Sequence, residues 1–137
     1  MNLIKTMSLS SILLLSACSV SLQDANNVNY GDKPTNNEKT VISMLKNKLK
    51  DPDSLKVISI TNPLRGYSKY GFGSTEYGWY TSISYNAKNS YGGYVGEKTI
   101  TFVYLNGRYE IATPLSNGER IFLDKTSYAC NKNCPDA

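Results

Sequence analysis

The sequence predicts an α+β fold in which one N-terminal helix packs on a mainly antiparallel sheet of three to five strands. Three observations lead to this fold class. An apolar stripe with helical spacing begins at Asn37, alternating apolar and polar residues follow from Leu55 onward, and Asn106-Gly107 separates two strand-like segments. An Asn-Gly pair in that position is the strongest short signal for a hairpin, and hairpins join antiparallel strands.

The predicted helix begins at Asn36 or Asn37, either of which can cap it, and ends at Asp51-Pro52, because proline disfavours helical geometry in the preceding residue. Its apolar stripe consists of Val41, Ile42, Met44, Leu45 and Leu49. Lys46, Lys48 and Lys50 cluster towards the end, where the helix dipole favours positive charge. These lysines have an alternative interpretation as a basic patch for anionic lipid or nucleic acid, but a solvated helix end is favoured.

The alternation of side chains predicts strands in the second half of the chain. They span residues 55–60, 79–85, 99–105 and 108–112, with a short edge strand at 121–123. Residues 65–78 are rich in Gly and Tyr, so a long loop or an irregular hairpin is expected there.

Aromatic side chains are interleaved with glycines in two segments of the chain, and they form a possible binding surface for a glycan or a partner protein. The residues concerned are Tyr67, Tyr70, Phe72, Tyr77, Tyr91 and Tyr94. The alternative is that they fold back over the edge of the sheet, without a ligand.

The N-terminus has the layout of an export signal. Lys5 precedes an apolar run that is too short and too rich in serine to cross a bilayer, and small residues then lead to Cys18. The sequence Leu15-Ser16-Ala17-Cys18 resembles the lipobox of bacterial lipoproteins. The resemblance implies a signal peptide over 1–17, acylation of Cys18 and attachment to a membrane. Ser19 in place of Asp after the cysteine implies the outer membrane, on its periplasmic side.

After the lipobox, residues 18–36 are polar and lack a sustained period, so they are expected to form a flexible tether. Residues 37–137 are then a single domain. The lipid consumes Cys18, which leaves Cys130 and Cys134 as an even pair in an oxidising compartment, and a disulfide is expected between them.

A second resemblance rests on Asp51-Pro52-Asp53-Ser54 and, downstream, Asn86-Ala87-Lys88-Asn89-Ser90-Tyr91-Gly92-Gly93-Tyr94. This combination is similar to a pattern in small bacterial exported and lipid-anchored proteins that have no established activity. In the second element, Gly92 and Gly93 are expected to supply positive φ or a close backbone approach, and Asn86 and Asn89 to bond turn amides.

The chain of 137 residues contains no histidine, which excludes Ser-His-Asp and Cys-His catalysis. No metal site or cofactor motif is present, and we expect no enzymatic activity. A two-carboxylate glycan hydrolase is the remaining enzymatic alternative, from Glu76, Glu97, Glu110 and Glu119. Scattered basic residues and a formal net charge of +4 give no stripe for nucleic acid.

The expected function is therefore a non-enzymatic binding role in the cell envelope, with an envelope protein or glycan as partner. A role in phage exclusion, or as an accessory protein of a secretion machine, also fits the size of the chain and its expected location. Inhibition of a lysozyme-type enzyme is a further alternative, which the mildly basic charge disfavours.

Overall fold

A computed structural model describes residues 20–70, 73–112, 118–126 and 128–131. The described chain contains two α-helices, α1 (Leu22–Asn26) and α2 (Asn37–Lys46), and a 3-10 turn at Pro52–Ser54. Its strands are β1 (Lys56–Thr61), β2 (Leu64–Tyr70), β3 (Thr75–Asn86), β4 (Lys98–Leu105), β5 (Arg108–Ile111), β6 (Gly118–Phe122) and β7 (Tyr128–Asn131). None of the helices in these ranges is long and apolar enough to cross a membrane.

The strand β3 is the centre of one seven-stranded sheet, in which the pairs are antiparallel. One edge of β3 pairs with β4, which continues into β5 through the turn at Asn106-Gly107. Both turn residues have positive φ, of 49° and 82°, as the Asn-Gly signal predicts for a tight hairpin turn.

The other edge of β3 pairs with two strands in succession. β1 lies beside residues 83–86 and β2 beside residues 75–80, so the two are halves of one strand that is interrupted at Asn62-Pro63. Proline cannot donate to a ladder, which explains the break. Thr61 Oγ1 accepts the backbone N–H of Ser82 at 2.9 Å and so keeps the junction attached to β3. Beyond the break the sheet divides, because β7 pairs with β1 and β6 with β2.

Two clusters of buried side chains lie on opposite faces of this sheet, since successive strand residues point to opposite sides. On the first face, α2 packs on the sheet through Val41, Ile42 and Leu45, against a buried set that includes Ile60, Ile83 and Phe102. Asn37 at the start of α2 also donates to Thr81 Oγ1 at 3.0 Å.

The second face contains the buried ring of Tyr80 together with Val103 and Ala112. The Tyr80 hydroxyl accepts from Ser68 Oγ and donates to the Glu76 carbonyl, both at 3.0 Å. Arg120 donates from Nε to Ser68 Oγ at 2.9 Å, and its guanidinium lies 5.2 Å from the Tyr80 ring centroid. Burial raises the pKa of Tyr80, so the hydroxyl stays neutral within this network.

The segment expected to be a flexible tether carries structure in its described part. Ser21 caps α1 by accepting the N–H of Asp24, and Ala25 is fully buried. Tyr30 then lies edge-on to Trp79, whose Nε1–H donates to the Tyr30 carbonyl at 3.1 Å. Polar composition indicated disorder, but here the polar residues supply caps and turns while one aromatic ring anchors the segment.

Several other predictions differ from the structure. The sheet has seven strands, not three to five. Residues 64–70 and 75–78 form a regular β2–β3 ladder where a loop or irregular hairpin was expected, and β7, for which no strand was predicted, pairs with β1. Helix α2 ends at Lys46, before the predicted end at Asp51-Pro52. Asn36 occupies the N-cap with a left-handed φ of 54° but makes no side-chain cap bond. The α+β class and the antiparallel sheet are confirmed.

Candidate functional site

The loop between β3 and β4 is held in a defined shape by its own hydrogen bonds. Asn89 Oδ1 accepts the N–H groups of Tyr91 and Gly93, and Gly92 takes a φ of 80°. The pairing of Lys88 with Tyr94 closes the loop. The turn roles predicted for Asn89 and Gly92 are therefore confirmed. The prediction for Asn86 is wrong, since its Oδ1 is buried and has no hydrogen-bond partner among the described residues.

A contact between two distant segments fixes the base of this loop. Ser54 Oγ accepts the backbone N–H of Lys88 at 2.9 Å and donates to the Asp51 carbonyl at 2.7 Å. The Asp-Pro-Asp-Ser turn and the Asn/Gly/Tyr loop, the two elements of the second sequence pattern, are thus in direct contact. Within the Asp-Pro-Asp-Ser segment, Pro52–Ser54 form a 3-10 turn.

A cleft of about 270 Å³ opens beside this contact, and we call it the lysine–tyrosine cleft. Its charged lining comes from three separate elements, the turn after α2, the β3–β4 loop and the start of β4. The lining residues used below are Lys48, Lys50, Tyr85, Lys88, Val95 and Lys98. The described lining contains no Asp or Glu, and none of its lysines forms an ion pair with a described residue.

Tyr91 and Tyr94, which we call the rim of the lysine–tyrosine cleft, do not line it but are chain neighbours of the lining residues Ser90 and Val95. Tyr94 is partly exposed, with Lys56 Nζ at 4.2 Å and Lys88 Nζ at 5.6 Å from its ring centroid. Tyr91 is 96% exposed at the tip of the loop, and Val95 is also exposed. A rigid loop that presents apolar side chains among uncompensated cations is typical of a contact surface.

The structure divides the predicted aromatic surface into two parts. Tyr91 and Tyr94 lie at the cleft rim, but Tyr67 is only 3% exposed and belongs to the interior. Burial also raises the pKa of the Tyr67 hydroxyl. Tyr77 packs on Tyr67 with ring centroids 5.8 Å apart, and the Tyr70 hydroxyl donates to Glu76 at 3.3 Å. Phe72 lies outside the described residues.

A second cleft lies at the opposite end of β3. It has a volume of about 440 Å³ and is lined by Asn29, Tyr30, Gly31, Asp32, Tyr77, Tyr104, Leu105, Asn106 and Gly107. The segment around Tyr30 forms one wall and the β4–β5 turn forms the other. Among the described residues of the predicted binding surface, Tyr77 alone lines this cleft.

No contact among the described residues brings together the four glutamates that were considered for glycan hydrolysis. Glu76 bonds the Tyr70 and Tyr80 hydroxyls, Glu97 accepts from Ser84, and Glu110 pairs with Arg108 at 2.6 Å. Glu119 stands opposite Lys69 in the β2–β6 register. Within the described ranges no three Cys, Asp or Glu residues are grouped as metal ligands.

The cysteine predictions fall outside the described structure. Cys18 and Cys134 are not among the described residues. For Cys130 only the backbone is described; it belongs to β7 and stands opposite Ile60 of β1. The proposed lipid and the proposed disulfide therefore remain predictions.

No protein-family model, curated protein or solved structure matches this chain.

The lysine–tyrosine cleft contains residues that the sequence did not bring together. The sequence pattern predicts a solvated helix end for Lys48 and Lys50 and no role for Lys88 and Lys98. In the sequence, Lys88 and Lys98 stand at the two ends of one predicted loop, and this was a signal that the two lysines lie near each other. Their proximity to Lys48 and Lys50 depends on how α2 packs, which the sequence pattern leaves undetermined.

Proposed function

We propose that this protein is a lipid-anchored binding protein of the cell envelope, without enzymatic activity, which contacts its partner through the lysine–tyrosine cleft and its rim. The observation that carries the proposal is the exposed Tyr91, Tyr94 and Val95 on a loop that Asn89 and Ser54 hold rigidly. Ordering a contact loop in advance lowers the entropic cost of binding.

The chemistry of the cleft supports binding over catalysis. A general acid or base needs a titratable group near the operating pH, and the described lining of the cleft offers lysines, a tyrosine and neutral side chains. Such a set attracts and holds an anionic or aromatic partner without breaking bonds in it.

The lipobox resemblance supports the anchor at Cys18 and the outer-membrane location. Only residues 18–21 precede α1, which is about 14 Å of extended chain. Because α1 and Tyr30 belong to the folded domain, the domain stays close to the bilayer from which it extends.

Photocrosslinking in intact envelopes tests the proposed contact surface. A photoreactive amino acid in place of Tyr91 is expected to give a discrete crosslinked product, because this side chain is 96% exposed on the rim. The same replacement at Lys39, an exposed α2 residue outside the cleft, serves as the matched control.

A product from position 91 that is absent from position 39 supports the proposal, and mass spectrometry identifies the partner. Equal crosslinking from both positions, or no crosslinked product from position 91, contradicts it.

A further inference from the structure

We propose that the lysine–tyrosine cleft binds a phosphate group carried by the partner, with Lys48, Lys50, Lys88 and Lys98 as its cationic ligands. The inference rests on the proposed binding function and adds to it the chemical class of the ligand. It concerns a phosphate monoester, which a phosphorylated saccharide or a lipid headgroup can carry.

The charge around the cleft is the first argument. Four lysines line one cleft of about 270 Å³, and none of them forms an ion pair with a described carboxylate. Cations without an ion-pair partner attract an anion, and several of them around one cleft attract a multiply charged anion more strongly than a singly charged one. A phosphate monoester carries close to two negative charges at neutral pH, and lysine is a common phosphate ligand.

The origin of the lysines is the second argument. The helix dipole explains positive charge at the end of α2, and this accounts for Lys48 and Lys50 alone. Lys88 stands in the β3–β4 loop and Lys98 begins β4, so neither belongs to the last turn of a helix. Their convergence with Lys48 and Lys50 requires a different explanation, which an anionic ligand supplies.

The hydrogen bonds of the loop are the third argument. The backbone of Lys88 is fixed by Ser54 Oγ, and Tyr94 pairs with Lys88 across the loop. A cation attached to a fixed backbone loses less entropy on binding than one on a mobile loop. The neighbouring residues Asn89 and Ser90 also line the cleft.

The position of the cleft bears on the source of the phosphate. Tyr77 lies beside the N-terminal segment, whereas Tyr85 lines the cleft eight residues further along β3, about 26 Å away. A lipid on Cys18 holds the N-terminal end of the domain, so the lysine–tyrosine cleft lies at the end remote from the anchor. This placement favours a phosphorylated saccharide over a headgroup of the anchoring bilayer.

The test uses the chain from residue 18 onward with Cys18→Ser, which retains all residues that the structure describes. Glucose 6-phosphate, inorganic phosphate and uncharged glucose are titrated separately, and binding is followed by the amide NMR shifts of residues 87–98. Flotation with phosphatidylcholine vesicles, with and without phosphatidic acid, tests the lipid source.

Two charge-matched variants make the test specific. Lys88→Gln/Lys98→Gln removes two ligands and is expected to weaken glucose 6-phosphate binding about tenfold or more. Lys39→Gln/Lys125→Gln removes the same net charge outside the cleft and is expected to change the affinity less than about twofold, because distant exposed charges are screened.

The phosphate assignment is overturned if glucose binds as well as glucose 6-phosphate, if both double variants weaken binding equally, or if no phosphate probe binds. Lysine-dependent binding to phosphatidic acid vesicles alone upholds the phosphate chemistry but overturns the assignment to a saccharide. A negative titration with specific crosslinking from position 91 rejects the phosphate ligand and leaves the proposed binding function standing.

Discussion

Ser54 Oγ accepts the backbone N–H of Lys88 at 2.9 Å, although the two residues are 34 positions apart in the chain. The Asp-Pro-Asp-Ser turn thereby holds the loop that carries the rim of the lysine–tyrosine cleft. Because one small side chain connects the two elements, the stability of the fold and the shape of the cleft depend on the same hydroxyl.

Ser54→Ala is expected to lower the free energy of unfolding by about 1–3 kcal/mol. The change removes two hydrogen bonds at a buried position and leaves the Lys88 N–H without its acceptor. Urea denaturation measures the loss. Ser43→Ala on the exposed side of α2 is the control and should cost nothing, since alanine is the better helix former. Equal stability of the parent and Ser54→Ala would show that the bond contributes nothing.

Gly66→Ala is expected to destabilise the β2–β6 half of the sheet by about 1–3 kcal/mol. A Cβ at this position would lie 2.5 Å from the Ile121 carbonyl oxygen, so the two strands must separate. Thermal unfolding by circular dichroism measures the effect. Gly93→Ala is the matched control, because its Cβ meets only Asn89 Oδ1 at 3.8 Å, and a change within about 0.5 kcal/mol is expected. A larger loss at Gly93 than at Gly66 would contradict this account.

Tyr80→Phe is expected to cost about 1–3 kcal/mol, although the ring is retained. The hydroxyl is the acceptor for Ser68 and a donor to Glu76, and its loss leaves these polar groups incompletely bonded on a buried face. Urea unfolding tests the prediction against Tyr91→Phe, which removes a hydroxyl from a solvent-exposed ring and should have no effect. Indistinguishable midpoints for the two variants would argue against a stabilising network.

Acid is expected to destabilise the protein partly through Asp124. Hydrogen bonds from Arg65, at 2.7 Å from Nη2 and 2.8 Å from the backbone N, lower the pKa of this carboxyl below its ordinary value. A group with a lowered folded-state pKa adds stability above its unfolded pKa of about 4, and this is lost as pH falls through the folded pKa.

Urea midpoints measured from pH 7 down to pH 2 test this dependence. The variant Asp124→Asn should be less stable than the parent at pH 7 and should lose less stability over the same acid range. An identical acid dependence of the two proteins would mean that other carboxyls account for it.

Cys18→Ser is expected to release the protein from the membrane fraction without unfolding the domain, because residue 18 precedes α1 and the buried residues of the described chain. Fractionation of cells and mass spectrometry of the parent for a diacylglyceryl-modified cysteine measure the two parts of the prediction. An unmodified thiol in the parent, or a Cys18→Ser variant that still sediments with membranes, would refute the anchor.

The sequence predicted the elements whose local signals agree with the fold. Alternation identified β3, β4 and β5, and Asn106-Gly107 located the turn between β4 and β5 correctly. The β2 strand was missed because glycine and tyrosine in 65–78 have the composition of a loop. Gly66 is tolerated in that strand because the ladder with β6 passes so close that a side chain does not fit.

The candidate site was only partly predictable. Tyr91 and Tyr94 were identified by their place in a glycine-rich loop, and both are exposed. Tyr67 has similar neighbours in the sequence but packs on Tyr77 in the interior. A shift of one residue along a strand moves a side chain to the other face of the sheet, and composition alone does not predict this register. The lysine cluster depends on contacts between segments far apart in the chain, which a local pattern does not record.

The interruption at Asn62-Pro63 has a consequence for how the domain opens. Proline contributes no amide to the ladder, so the hydrogen bonds of β1 and β2 form two separate rows along β3. The β1–β7 row is backed by α2 and the β2–β6 row by the Tyr80 network. Native-state hydrogen exchange should therefore resolve two protected units with different opening free energies, joined through the continuous backbone of β3.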